Sequence, residues 1–450
     1  MSISYKLSVK KLPLKGVLVD IYYNNNETIS DLGKTTSVNR YDFISFREVS
    51  IYLDVEKMMK KLQASITLWE SLQVNKIYIH IPSIMLSKNM DQLEFILASI
   101  VRTIFTNIYK TSTEIIITHD GDENTILKNI ISMIEKVQVA RLLSMLPANL
   151  ATPEKIAKRI QVLYKNVPKV STRILNKAYL EKHKMGLLLA VNKGSKNKPC
   201  MLVIERKVNP KYPTICIIGK GITFDSGGLA IKSIRSMKDM KYDKIGAVNG
   251  SISLLHMLEM KPLQHINFIG IFPFAENVIS ENSILPGDVI TSLSGKTVEI
   301  INPDAEGRLI LADAFTYASR YEPDLLIDIA TLTGHAESIN CWHNGYFFAE
   351  PEDLKQLFEK RTNDIGERMI PMPTWNEYRE VLNSTVADLI NDSNVCDDSF
   401  TAALFLKEFL PKNCKWLHID LAHEITGRIA NGTGIRSIVD IIDKYIPKKK

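Results

Sequence analysis

The 450-residue sequence lacks any continuous apolar run of about eighteen residues, the length that a membrane-spanning helix requires. Its most apolar stretch, 95–108, is interrupted by Arg102 and is typical of an amphipathic helix. The N-terminus has neither the apolar core of a signal peptide nor the arginine-rich composition of a transit peptide. We therefore expect no membrane partner and a cytoplasmic location.

Cysteine is also scarce. The five cysteines are an odd number and include no C-x-x-C pair, which excludes a disulfide framework and a zinc ribbon. Buried free thiols in a reducing cytoplasm are the simplest interpretation. The nine histidines include no H-E-x-x-H motif, so any metal ion must be held mainly by carboxylates.

The excess of one charge sign is small. The chain carries 56 basic and 50 acidic side chains, a formal net charge of +6, which makes nucleic acid an unlikely partner class. The apolar fraction of 45% and the charged fraction of 24% are those of a soluble globular protein. The length exceeds what one ordinary core accommodates, so we predict two domains.

Predicted strands and helices alternate along the chain, which indicates the α/β class. We expect a smaller N-terminal α/β domain at 1–146, with strands near 16–23, 77–81 and 114–118 and helices near 54–73, 93–109 and 124–145. Thr152-Pro153-Glu154 has the composition of a helix start, with a cap, a proline and an acid in order. We place a linker helix region at 147–170.

The segment 171–450 is predicted to be a larger α/β catalytic domain with a central mixed, mostly parallel sheet covered by helices. Several of its predicted strands are near-continuous apolar runs, as in a sheet that is buried on both faces. These strands are predicted near 186–190, 201–205, 214–218, 266–272, 297–301, 325–330 and 416–421. The helices are predicted near 243–260, 305–321, 352–363 and 399–409.

Two short stretches concentrate charged residues: GKGITFDSGG at 219–228, followed by Lys232 and Asp243, and NPDAEGR at 302–308. Both begin where a predicted strand ends, and sites in doubly wound sheets form at that carboxyl edge. Four ionised carboxylates in one pocket would repel one another without cations, and their charge matches two divalent ions. The four are Asp225, Asp243, Asp304 and Glu306.

Three cations accompany these carboxylates. A lysine beside two metal ions favours its neutral amine, so Lys220 could be a nitrogen ligand. Lys232 and Arg308 would stay cationic and face substrate oxygens or a bound anion.

Simpler interpretations exist for each stretch alone. Asp304 and Glu306 could merely cap a helix at 305–321, and Asp243 could cap one at 243–260. G-K-G after a strand suggests phosphate binding, but the spacing of a P-loop is missing. Taken jointly, the two stretches are hard to explain as coincident caps.

At these residues the chain resembles the leucyl (cytosol) aminopeptidase family. The family's G-K-G-[IV]-T-F-D-S-G-G stands at 219–228, and its M-K-x-D stands at 240–243. Its N-T-D-A-E-G-R-L signature is present at 302–309, with Pro303 in place of threonine. The resemblance runs from roughly 140 to 440 and is weak over the N-terminal domain. It implies a homohexamer that removes N-terminal residues, leucine or other apolar ones, from peptide substrates.

The resemblance also implies a role for each site residue. One metal would be held by Asp225, Asp304 and Glu306, and the second by Lys220, Asp225, Asp243 and Glu306. Zinc or manganese is expected, with magnesium or cobalt as alternatives. Lys232 would polarise the scissile carbonyl, and Arg308 would hold a bicarbonate. The pocket for the first side chain would be lined by Met240, Thr331, Gly334 and Ala422.

Several departures from the family pattern predict a divergent member with altered substrate preference or reduced rate. Pro303 restricts the backbone before a ligand, although a position before a helix suits proline. Lys244 is expected to add bulk and charge near the metals, and His423 replaces a pocket glycine. Asp398-Ser399-Phe400 stands where the family has Gly-Gly. The alternatives are a catalytically weakened structural paralogue and a DNA-binding accessory protein.

Overall fold

The computed structural model describes six strands before residue 120 and then residues 125–446, except for 261–262, 335–344, 394–397, 422–424 and 427–428. The chain divides into two compact units. The first comprises 1–138 with 364–366, and the second 139–363 with 367–450. The predicted linker region at 147–170 stays a prediction.

The first unit contains a six-stranded sheet in the order β1-β6-β5-β2-β4-β3, in which every pair is parallel except β3 and β4. The strands are β1 (Lys6–Lys10), β2 (Val17–Ile21), β3 (Thr36–Val38), β4 (Tyr41–Phe46), β5 (Lys76–Ile81) and β6 (Glu114–His119). The predicted strands near 16–23, 77–81 and 114–118 are confirmed. The helices predicted near 54–73 and 93–109 lie outside the described residues.

The second unit is built on a nine-stranded sheet, in the order β16-β15-β18-β14-β9-β11-β8-β7 with β10 paired to β11. Five pairs are parallel and three are antiparallel, which confirms the predicted mixed, mostly parallel sheet. Its strands are β7 (Ser171–Leu175), β8 (Cys200–Arg206), β9 (Thr214–Gly219), β10 (Gly221–Asp225), β11 (Asn267–Asn277), β14 (Leu325–Ala330), β15 (Gly345–Glu350), β16 (Ile370–Pro371) and β18 (Lys415–Leu421). Smaller sheets are formed by β12 (Val289–Thr291), β13 (Thr297–Glu299) and β17 (Leu389–Ile390), and by β19 (Ile425–Thr426) with β20 (Ile429–Ala430).

Helices cover the sheet, as the buried central strands require. They are α1 (Thr125–Met145), α2 (Pro153–Leu163), α3 (Lys177–Lys182), α4 (Gly186–Val191), α5 (Ile234–Met237), α6 (Ile245–Glu259), α7 (Glu306–Ala318), α8 (Glu352–Asp364), α9 (Asp398–Lys407) and α10 (Ile435–Tyr445). α6 packs against β9, β11 and β14, and α7 packs against α4, β9 and β11. α2 begins at the predicted Pro153, after Thr152 at its N-cap. Every residue of β14 is buried.

The strand predicted at 186–190 is wrong, because Gly186–Val191 forms the helix α4. Periodicity cannot distinguish a short buried strand from a short buried helix. Leucine and alanine favour the helix, and no β-branched residue opposes it before Val191. The first residue also requires glycine, since a Cβ on Gly186 would lie 2.0 Å from the Thr291 carbonyl oxygen.

The strand predicted at 297–301 is shorter than expected and belongs to a different sheet. β13 pairs antiparallel with β12 and parallel with β17, outside the nine-stranded sheet. Asp304 and Glu306 therefore do not follow a strand of the main sheet. They reach its carboxyl edge on the loop that leads from β13 into α7.

The described residues include no helix that is both long and apolar enough to cross a membrane. Cys200 and Cys216 are buried free thiols, as expected, whereas Cys414 is partly exposed. Cys341 and Cys396 lie outside the described residues.

Candidate metal centre

Lys220 is fixed where β9 ends. Its backbone N–H donates to the Ile329 carbonyl at 3.1 Å, and its own carbonyl accepts from the Ala247 N–H at 2.7 Å. These bonds tie the residue to β14 on one side and to the first turn of α6 on the other. The side chain is therefore directed along one defined path into the site.

The Lys220 ammonium group is surrounded by acceptors. Its Nζ lies 2.9 Å from Asp243 Oδ1 and 2.9 Å from Glu306 Oε1. It also donates to the Thr331 carbonyl at 2.8 Å, while the Thr331 hydroxyl donates to Asp243 Oδ1 at 2.8 Å. Three predicted ligands and one predicted pocket residue thus meet at one buried amine.

Asp225 ends β10 and is oriented by neighbouring donors. Asn277 Nδ2 and the Gly227 N–H each donate to Asp225 Oδ1 at 2.9 Å. Its other oxygen, Oδ2, lies 2.9 Å from Lys232 Nζ. Lys232 Nζ is also 2.6 Å from Asp304 Oδ1, so this second lysine joins two more carboxylates.

The turn between Asp225 and Lys232 explains the Ser-Gly-Gly motif. The Lys232 N–H donates to the Ser226 carbonyl at 2.9 Å, which closes the loop over Asp225. Gly227 has φ +84°, and a Cβ there would lie 2.4 Å from the Ala230 carbonyl oxygen. Glycine alone adopts this conformation without strain and leaves this space free.

The loop that carries Asp304 is held by a residue that sequence reasoning missed. Asn391 is fully buried, and its Oδ1 accepts from the Ile301 N–H at 2.7 Å and the Asn302 N–H at 3.1 Å. Its Nδ2 donates to the Asn302 carbonyl at 2.7 Å. No local pattern marks Asn391, because its partners are about ninety positions away.

Pro303 fits the turn before Asp304. The Asp304 N–H donates to Asn302 Oδ1 at 2.9 Å, which makes an Asx-type turn that spans the proline. The Pro303 carbonyl accepts from Asn277 Nδ2 at 3.1 Å. Asn277 therefore links the two ligand stretches, a role that the sequence did not reveal.

The interpretation of Asp304 and Asp243 as side-chain helix caps is wrong. α7 begins at Glu306 with Ala305 at its N-cap, and no side chain there accepts a capping hydrogen bond. α6 begins at Ile245 with Lys244 at its N-cap, again without a side-chain cap. Asp304 and Asp243 instead contact the two lysines.

The carboxylates form a cluster that can hold cations. Oxygen atoms of Asp225, Asp304 and Glu306 lie within 4.8 Å of one another, and Lys220 connects Asp243 to Glu306. Glu306 Oε2 and Asp243 Oδ2 are buried without a hydrogen-bond partner among the described residues. Because unpaired buried carboxylate oxygens are costly, this donor set fits hard divalent ions.

The pKa values of three acids in the cluster are raised by burial and by repulsion between the carboxylates. Burial, followed by the neighbouring carboxylates Asp225 and Glu306, raises the pKa of Asp304 to about 7. Burial likewise raises the pKa of Glu306, and burial raises that of Asp243 well above its usual range. Burial alone would lower the pKa of Lys220 and of Lys232, but the surrounding carboxylates raise both. Bound divalent ions would counter the repulsion between the carboxylates.

The remaining predicted pocket residues lie at different places. Met240 is the first residue of a short 3₁₀ helix, Met240–Tyr242, and Asp243 follows this helix as its C-cap. A Cβ on Gly334 would meet no atom of the described residues within 4 Å. Ala422 and His423 lie outside the described residues.

The expectation that Lys244 brings charge to the metals is wrong. Its Nζ donates to the Ser144 carbonyl at 2.8 Å and the Leu146 carbonyl at 3.0 Å, and it also contacts the Lys241 carbonyl. Burial, with a contribution from the Lys241 charge, lowers the pKa of this amine to about 7. The side chain therefore secures the end of α1 instead of reaching the carboxylate cluster.

Arg308 lies on α7 and is 1% exposed. Its Nη1 donates to the Asn391 carbonyl at 2.9 Å and is 3.4 Å from Asp392 Oδ1, and its Nη2 contacts Asp398. Both terminal nitrogens already contact protein oxygens, so a free bicarbonate at either one would have to displace a protein partner.

Comparisons with known proteins identify relatives of this chain. The model of the catalytic domain of the cytosol aminopeptidase family matches residues 138–439. A probable cytosol aminopeptidase of Legionella pneumophila (strain Corby) is 40% identical over 309 residues, 67% of this chain and 63% of the relative. One of Buchnera aphidicola is 33% identical over 412 residues, 89% of this chain and 81% of the relative. The chain thus spans less than two thirds of the length of the Legionella relative but more of the Buchnera one.

Proposed function

The chain belongs to the cytosol aminopeptidase family, and we propose that it is a dinuclear metal-dependent aminopeptidase that releases N-terminal residues, with leucine or other apolar residues preferred. Zinc or manganese is the expected metal, with magnesium or cobalt as alternatives, because oxygen donors with one amine do not select sharply among them. Such ions would polarise the scissile carbonyl and activate a water molecule at neutral pH.

One observation carries the proposal. Four carboxylates and two lysines converge in the second unit, and Glu306 Oε2 and Asp243 Oδ2 have no partner among the described residues. Two ammonium groups balance only part of four carboxylates. Divalent cations would supply the missing positive charge and would bind the carboxylate oxygens that lack a partner.

The chain's own residues divide the remaining work. Asp225, Asp304 and Glu306 would hold one ion, and Lys220, Asp225, Asp243 and Glu306 the other. Asp243 would also receive the α-amino group of the peptide, a charged group that an endopeptidase does not recognise. The Asp243 carboxylate accepts from the Thr331 hydroxyl, which keeps it oriented for this contact.

Lys232 is the proposed electrophile. Its side chain is 16% exposed, against 4% for Lys220, so it is the lysine nearer to an entering substrate. The surrounding carboxylates raise its pKa, which keeps it cationic. An ammonium group at this position can donate to the oxyanion that develops on the scissile carbonyl.

The proposal is tested with purified protein that is stripped of metal and resupplied with manganese or zinc. We expect hydrolysis of leucine anilide to return with the metal. Lys232→Met keeps the length of the side chain without its charge, and should lower kcat by about a hundredfold to a thousandfold. Asp304→Asn should lose bound metal when metal content is measured directly.

These measurements distinguish the proposed function from its alternatives. A folded protein that binds metal but hydrolyses neither leucine anilide nor a panel of dipeptides would indicate a catalytically weakened paralogue. Unchanged hydrolysis by Lys232→Met would refute the role of that lysine. A salt-dependent shift in DNA mobility would favour the DNA-binding alternative.

The assembly is implied by the family resemblance and the location is expected from the sequence, and both stay predictions. A homohexamer is expected, and size-exclusion chromatography with light scattering tests it. A cytoplasmic location is also expected and needs a fractionation experiment.

A further inference from the structure

The guanidinium group of Arg308 contacts two acids, Asp392 and Asp398. It is two residues from Glu306 on α7, and its side chain is 2% exposed. Arg308 Nε is buried and has no hydrogen-bond partner among the described residues. Each of the two terminal nitrogens has an oxygen partner.

The two acids at Arg308 differ in how firmly other groups hold them. Asp392 Oδ2 accepts from Asn302 Nδ2 at 2.8 Å, and its Oδ1 accepts from the Ser393 N–H at 2.9 Å. Its distance to Arg308 Nη1 is 3.4 Å, so the loop around 302 is its main partner. Asp398 makes the close contact, and it does so with Nη2.

Asp398 is well placed to act as a bound anion. It is the first residue of α9, where the helix dipole favours negative charge. Its carbonyl accepts from the Thr401 hydroxyl at 3.0 Å, which anchors the residue in the first turn. Its side chain is 27% exposed, so the position it fills is reached from solvent.

Charge decides against a further anion. Arg308 provides one positive charge, and Asp392 and Asp398 provide two negative ones. A bicarbonate would add a third negative charge at this guanidinium, in a buried setting where such repulsion is strong. It would also have to displace Asp398 to reach Nη2.

We propose that Asp398 is the resident anion of Arg308, so that this chain carries its own carboxylate where the family resemblance implies a bicarbonate. Asp398 is a positioning residue: it neutralises Arg308 and fixes the orientation of the guanidinium. The consequence for turnover rests on the proposed aminopeptidase function. Activity should be independent of bicarbonate in the wild-type protein.

The test compares Asp398→Ala with two matched variants, in buffer freed of carbon dioxide and then supplied with millimolar bicarbonate or formate. Wild-type leucine-anilide hydrolysis should not respond. Asp398→Ala should fall by about tenfold to a hundredfold and recover when either anion is added. Asp398→Asn should be impaired without recovery, because its amide still fills the position. Asp392→Asn should stay insensitive to bicarbonate.

Calorimetric titration of bicarbonate gives a readout that does not depend on turnover. Asp398→Ala should bind the anion, and the wild-type protein should not. If no protein hydrolyses any peptide, the proposed function fails while the calorimetry still decides the role of Asp398. Wild-type activity that drops on carbon dioxide removal, or a well-folded Asp398→Ala that neither binds nor responds to bicarbonate, would overturn the inference.

Discussion

Gly307→Ala should remove metal binding by adding one methyl group. A Cβ at this position would lie 2.6 Å from Lys220 Cε, 2.7 Å from Cδ and 2.8 Å from Nζ. Restoring an ordinary carbon–carbon separation of about 3.5 Å requires the lysine to shift by about 1 Å. That shift would break at least one of its contacts with Asp243, Glu306 and the Thr331 carbonyl.

The expected effects on stability and on metal affinity differ in size. Overpacking costs about 1–3 kcal/mol, and alanine in a helix gains about 1 kcal/mol over glycine, so the net loss is about 0–2 kcal/mol. Disturbing a residue that orients ligands lowers metal affinity by about tenfold to a hundredfold. The protein should therefore stay folded yet retain little metal in competition with a chelator.

A double-mutant cycle with Lys220→Ala separates the clash from any other effect of the new methyl group. Without the lysine side chain, Gly307→Ala should become stabilising by about 1 kcal/mol. The urea midpoints of the four metal-free proteins measure this change. A cost of Gly307→Ala that is the same in both backgrounds, or wild-type metal retention in Gly307→Ala alone, would refute the reasoning.

Two further substitutions test residues that support the site and the core. Asn277→Ala leaves Asp225 Oδ1 with the Gly227 N–H alone, so manganese affinity measured by chelator competition should fall by about tenfold; unchanged affinity would exclude this role. Burial raises the pKa of Asp313 to about 7 although it accepts from Leu188 and Leu293. Because this pKa lies above the unfolded value, Asp313 makes the protein less stable as pH rises from about 4 to about 7, at about 1.4 kcal/mol per unit. Asp313→Asn should lack this loss, so equal urea-midpoint profiles for both proteins would contradict it.

The fold was predictable where the apolar residues or the end signals of an element form a clear pattern in the sequence. The strand predicted at 325–330 matches Leu325–Ala330, and the helix start at Pro153 is also observed. The segment 186–190 was ambiguous because a six-residue apolar run satisfies both periodicities. The strand predicted at 297–301 is present at Thr297–Glu299 but lies in a smaller sheet. Its partners, β12 and β17, are set by tertiary context, which a local pattern does not contain.

The candidate ligands of the site could be recognised in the sequence because their chemistry is local. Asp225 with its Ser-Gly-Gly turn and Asp304 with Glu306 each occupy a few consecutive positions, and their residue types indicate cations. The residues that orient them are ordinary in type and remote in sequence. Asn277 is 52 positions from Asp225, and Asn391 is 83 positions from Arg308. A lone asparagine carries no signal until the fold places its amide against a ligand.

The same reasoning applies to two departures from the family pattern, Lys244 and Asp398. Lys244 is adjacent to a ligand in sequence, but its amine turns away to the carbonyls of Ser144 and Leu146. Asp398 is 90 positions from Arg308, yet its carboxylate contacts the guanidinium. Distance along the chain therefore does not predict which of these two residues contacts the groups of the site. The proposed independence of bicarbonate rests on the contact between Arg308 and Asp398, the first residue of α9.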